Sequence, residues 1–101
     1  MGDYTTVARK GDLPPDSGKV VEAGGKQIAL FNVDGTYYAV DNTCLHRGGP
    51  IGEGELSGCV VTCPWHGWQY DVRSGKNEMN PSIGLASYKV QVVGDDVQVE
   101  L

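Results

Sequence analysis

The segment Cys44-Leu45-His46-Arg47-Gly48-Gly49 and the segment Cys63-Pro64-Trp65-His66-Gly67 decide how this chain is read, and sixteen residues separate His46 from Cys63. Each segment offers one thiol and one imidazole and is followed closely by glycine. The spacings are C-x-H in the first and C-x-x-H in the second. The chain has only two histidines, and both stand in these segments. A cysteine and a histidine packed in a core by chance would account for one such pair. Two matched pairs that use every histidine point instead to a bound metal.

Two kinds of metal site take two cysteines and two histidines. A structural zinc site is one. A 2Fe–2S centre in which two imidazoles replace two thiolates on one iron is the other. Zinc fingers usually pair cysteine with cysteine in one knuckle and histidine with histidine on a helix. Here each loop pairs one of each, no helix carries them, and glycines frame them. A zinc-binding interaction module remains the alternative from another class, and colour separates it cheaply, because zinc is colourless and iron–sulfur is red-brown.

Outward from these loops the sequence reads as strands and turns. Val occurs thirteen times against six Leu and five Ala, and fifteen Gly accompany them. That mixture favours short strands and tight turns. Strands are expected over Tyr4–Ala8, Lys19–Ala23, Lys26–Val33 and Thr36–Asp41. Gly24-Gly25 and Asp34-Gly35 between the last three are hairpin signals. Gly11 to Gly18, with Pro14-Pro15 inside it, is expected to be a loop. Tyr88–Val92 and Val97–Leu101 alternate around Gly94-Asp95-Asp96 and predict a hairpin with one apolar face. No stretch of a dozen residues has helical period without Gly or Pro.

The chain is 101 residues with a net charge of −5. That length predicts a single domain, residues 1–101. The acidic balance argues against nucleic acid and against anionic membranes as partners. No apolar run approaches a membrane span. The N-terminus has no apolar signal core, and three cysteines is an odd count. A reducing, cytoplasmic setting is therefore expected. Met1-Gly2 fits the start of a myristoylation pattern, but so short a match carries little.

Cys44-x-His46 and Cys63-x-x-His66, with the flanks Arg47-Gly48-Gly49 and Gly67-Trp68-Gln69-Tyr70-Asp71, resemble the Rieske iron–sulfur signature. The resemblance extends over nearly the whole chain and is strongest to the small Rieske-type ferredoxins that serve ring-hydroxylating oxygenases. It implies an all-β Rieske fold: an antiparallel β-sandwich with a cluster-binding subdomain, about residues 42–71, inserted between its strands. It implies one 2Fe–2S cluster per chain, with Cys44 and Cys63 on one iron and His46 and His66 on the other through Nδ1. It implies a one-electron carrier, expected to be monomeric, between a flavin-dependent reductase and a terminal oxygenase. The small Rieske-like subunit of an assimilatory nitrite reductase is the runner-up.

The chain departs from the respiratory Rieske pattern in an informative way. Those proteins carry a second cysteine in each loop, joined as a disulfide, and a serine further on. The matching positions here are Gly49, Trp65 and Trp68, so no such bridge and no such hydroxyl exist. Tyr70 keeps the family's tyrosine, expected to donate to a cysteine sulfur. Fewer donors to sulfur imply a low potential. Cys59, within Gly58–Thr62, is read as a small core residue in a buried strand rather than a ligand. Pro81 resembles the family's proline loop over the cluster. Leu45, Pro64 and Trp65 are candidates to shield the cluster, and Arg47 to meet a partner. No third histidine is left for an oxygenase iron. Gly52-Glu53-Gly54-Glu55-Leu56-Ser57 lacks the last glycine of a dinucleotide fingerprint. The chain is accordingly expected to carry electrons and to catalyse nothing alone.

Overall fold

β3 (Lys26–Val33) is the strand around which the molecule is built. Its side chains alternate between two buried faces, as period-2 geometry requires. Ala29 and Phe31 enter one core; Ile28 and Leu30 enter the other. A strand buried on both faces reads as a continuous apolar run, which Ile28-Ala29-Leu30-Phe31 is. The computed structural model describes residues 4–44, 49–65 and 67–100.

Three antiparallel sheets surround this axis. β2 (Ser17–Ala23), β3, β4 (Thr36–Asp41) and β8 (Ser87–Tyr88) form a four-stranded sheet in that order. β1 (Tyr4–Arg9), β10 (Asp96–Glu100) and β9 (Val90–Val93) form a second. β5 (Glu55–Ser57), β6 (Val60–Thr62) and β7 (Gln69–Asp71) form a third. The core shared with the β1-β10-β9 sheet contains Ala8, Val21, Val97 and Val99 beside Ile28 and Leu30. The other core contains Val40, Ile51, Val61, Tyr70, Val72, Cys44 and Cys63 beside Ala29 and Phe31. The two cysteines of the motif therefore lie in the core between the central sheet and the small third sheet.

The expected all-β antiparallel architecture is the one observed, with four local differences. β2 begins at Ser17, where a loop is expected through Gly18, and pairs Ser17 with Asn32 and Gly18 with Phe31. Gly18 is a strand residue because the Phe31 ring lies 2.5 Å from where a Cβ would stand. Tyr88–Val92 is not one strand. Ser87 and Tyr88 pair with β4, and after Lys89 the chain enters the other sheet as β9. Alternation does not record such a change of sheet, because both halves keep the same period. Lys10–Asp12 and Ile51–Glu53 are single 3-10 turns. Cys59 is not in a strand but in the two-residue turn between β5 and β6, after Gly58 at φ 60°.

Candidate metal centre

β4 and β6 each deliver one cysteine to the same place. Cys44 follows β4 after Thr43, which bridges to Pro50, and Cys63 follows β6 directly. The Cys44 backbone N–H donates to the Gly49 carbonyl at 3.0 Å, and the Cys63 N–H donates to the Trp68 carbonyl at 2.7 Å. Each cysteine thus closes a loop onto the residue five positions on, so the two loops match in size although their sequences differ. His46 lies within the first closure and His66 within the second. Both histidines, with Leu45, Arg47 and Gly48, fall outside the described residues, as does Gly2.

The two thiols meet in a dry setting. Cys44 is 2% exposed and Cys63 1%. They are not joined by a disulfide, and Cys59 is a third free thiol. Burial pushes the Cys63 thiol up from its ordinary pKa. The Trp65 backbone N–H, donating to the Cys63 sulfur, opposes that shift, and the neighbouring Cys44 sulfur adds to it. Tyr70 OH lies 3.4 Å from Cys44 Sγ, and its ring is fully buried. The expected tyrosine-to-sulfur contact is therefore present.

Gly49 belongs to the same site. A Cβ built on it would stand 2.7 Å from Cys63 Sγ. No side chain fits there without moving that sulfur, so Gly49 brings bare backbone to a thiol. Two buried thiols side by side, a phenol at one and bare backbone at the other, fit a bridging metal centre that takes two thiolates from this side. Thiolates need such donors, because a buried charge without partners is costly.

Around the thiols lie the other sequence candidates. Trp68 is half-buried and packs on the cysteine-containing core. With Asn77, Met79, Asn80 and Ile83 it lines a small cavity of about 160 Å³. Asn77 is buried, and its side-chain oxygen accepts from the N–H groups of Met79 and Asn80, which sets the start of this loop. Pro81 stands exposed in the same loop. Met79 is 80% exposed and Trp65 50%, so the surface near the thiols presents large apolar groups to solvent. Pro64 is also exposed, and Cys59 packs on the edge of the core. The sequence marks Gly49 as bare backbone beside the centre, and the structure sets it against Cys63 Sγ; Asn77 is not among the sequence candidates. Asn77 followed by Met79-Asn80-Pro81 carried a loop-initiating signal, since Asn side chains cap the turns that follow them.

Residues 3–89 match the family model for the Rieske [2Fe-2S] domain. The chain is 36% identical over 98 residues to the ferredoxin component of biphenyl 2,3-dioxygenase from Rhodococcus jostii (strain RHA1), covering 96% of this chain and 92% of that one. Its structure is similar to the ferredoxin solved in a complex of reduced oxygenase and oxidised ferredoxin of carbazole 1,9a-dioxygenase. The TM-score is 0.88 at 27% identity, over 99% of this chain and 94% of that one. It is also similar to a putative NADH-dependent nitrite reductase small subunit from Mycobacterium tuberculosis, with a TM-score of 0.92 at 25% identity over 100% and 96% of the two chains. The family carries a 2Fe–2S cluster, so the metal is iron with sulfide rather than zinc. On the match over residues 3–89 and the shared fold, this chain belongs to the Rieske [2Fe-2S] domain family.

Proposed function

We propose that this protein is a one-electron carrier that passes electrons from a flavin-dependent reductase to a terminal oxygenase, and that it catalyses no reaction alone. The observation that supports it most is the pair of buried thiols set side by side by two loops of equal closure. Cys44, Cys63, His46 and His66 would hold the cluster. When bound, the cluster supplies one-electron redox chemistry. Tyr70 would donate to the Cys44 thiolate, and the surrounding apolar core keeps water from both sulfurs.

The chain acts as one domain, residues 1–101, with about residues 42–71 as its cluster-binding part. Among the described residues no helix is long and apolar enough to cross a membrane. The reading places the carrier in the cytoplasm as a monomer. Trp65, Met79 and Ile83 are exposed apolar groups of the kind that transient partners cover. The proposed oxygenase partner follows the oxygenase–ferredoxin complex named for the carbazole system.

Stopped-flow mixing of the reduced protein with an oxidised Rieske oxygenase tests the reading. Oxidation of the carrier with one electron gained per oxygenase centre is expected. A carrier that stays reduced with every such oxygenase, yet co-purifies with a large reductase subunit, would favour the second reading. That reading is a small subunit of a nitrite reductase, and the likeness over 100% of this chain supports it.

A further inference from the structure

Trp65 has a second relationship to the site besides its N–H. A Cβ on Gly49 would lie 3.0 Å from Trp65 Cγ and 3.1 Å from Trp65 Cβ, as well as 2.7 Å from Cys63 Sγ. The base of the indole is therefore seated on the bare backbone of Gly49. Gly49 is itself fixed, because its carbonyl accepts from the Cys44 N–H. Contacts then run from Cys44 to Gly49, and from Gly49 to both Trp65 and the Cys63 sulfur. They cross from one ligand loop to the other without a covalent link.

We propose that Trp65 is a positioning residue. Its indole, seated on Gly49, braces the Cys44 loop against the Cys63 loop. Trp65 is 50% exposed, so the other half of its surface is already covered within the fold. Outer groups that orient ligands commonly govern how firmly a metal is held. The proposal rests on Cys63 being a cluster ligand. It adds that Trp65 acts through Gly49 rather than as a mere apolar cover.

The test is chelator-driven loss of the visible cluster spectrum from the purified holoprotein, with the reduction potential measured on the same samples. Trp65→Ala should lose the cluster about tenfold faster than the parent, and its potential should move. Trp65→Phe, which keeps a ring on Gly49, should restore most of both. Gly49→Ala should unseat the indole and also speed the loss. Adding Trp65→Ala to Gly49→Ala should then change the rate by less than about twofold, because contacting residues are coupled. Effects that multiply instead, or a Trp65→Ala protein with parental rate and potential, would overturn the proposal. If Gly49→Ala does not fold, the Trp65→Ala and Trp65→Phe pair decides alone. A parent protein that takes up no iron and sulfide would sink the ligand assignment beneath it, an outcome separable from failure of the brace.

Discussion

Tyr70 OH stands 3.4 Å from Cys44 Sγ, with both side chains sealed from solvent. In a thiolate complex the phenol is the donor, since the thiolate has no proton. A donor to sulfur favours the more negative, reduced state. Tyr70→Phe keeps the ring and removes only the donor. The reduction potential should fall by about 40 mV, the equivalent of one hydrogen bond of about 1 kcal/mol. Potentiometric titration of both proteins checks it, and a rise in potential would contradict it.

Ligation predicts a sharp contrast among the cysteines. Cys44→Ser, Cys63→Ser, His46→Ala and His66→Ala should each abolish the cluster or leave it badly unstable. Cys59→Ser should keep it, because Cys59 sits in the β5–β6 turn at the core's edge. Iron and sulfide content per chain, with the visible spectrum, reads the outcome. A folded but colourless Cys59→Ser protein would end its assignment as a bystander.

Two glycines at positive φ separate conformational cost from contact cost. Gly94 lies at φ 60° with nothing within 4 Å of a built Cβ. Gly94→Ala should therefore cost about 1 kcal/mol, the left-handed penalty alone. Gly75 lies at φ 81°, and its Cβ would collide with the Leu85 carbonyl oxygen. That backbone cannot swing aside freely, because the Leu85 N–H donates to the Gly75 carbonyl at 2.7 Å. Gly75→Ala should cost about 3 kcal/mol or more. The melting temperature should then fall roughly three times as far as for Gly94→Ala, and equal shifts would show that the collision is relieved.

Tyr88 predicts an alkaline weakness. Burial and its hydrogen bond to Asp41 push its pKa up to about 12 from an ordinary 10.0. The folded chain holds this proton more tightly than the unfolded one. The stabilisation is complete below pH 10 and is lost as pH rises toward 12. Tyr88→Phe keeps the ring beneath Lys26 but removes the bond to Asp41. It should be about 1 kcal/mol less stable at neutral pH and should show a smaller loss across the alkaline window. Melting temperatures at neutral and alkaline pH test this, and parallel losses in the two proteins would contradict it.

The sheets and thiols were legible in the sequence to different degrees. The β3 run and its flanking Gly24-Gly25 and Asp34-Gly35 turns announce local pairing, which short-range patterning carries well. The split at Lys89 does not, because Tyr88 and Val90 continue one alternation while pairing with different sheets. Gly18 gave no strand signal either. Its absence of a side chain is explained only by Phe31, thirteen positions away and across the hairpin. At the centre, residue type and spacing singled out Cys44 and Cys63, and the family resemblance singled out Tyr70. The equal loop closures and the seat of Trp65 on Gly49 are backbone relations between distant segments, and no local pattern encodes them. Cys59 misled because Gly-Cys-Val-Val-Thr reads as a strand, whereas Gly58 turns the chain first.

The most direct test of the account is a potentiometric titration of the purified, cluster-loaded protein, followed by its visible spectrum at neutral pH. A single one-electron transition near the low end of the Rieske range, about −150 mV, is predicted. It follows from the absence of a hydroxyl at Trp68 and of a bridge between Gly49 and Trp65. A colourless protein, or a midpoint near +300 mV with full reduction by ascorbate, would contradict it.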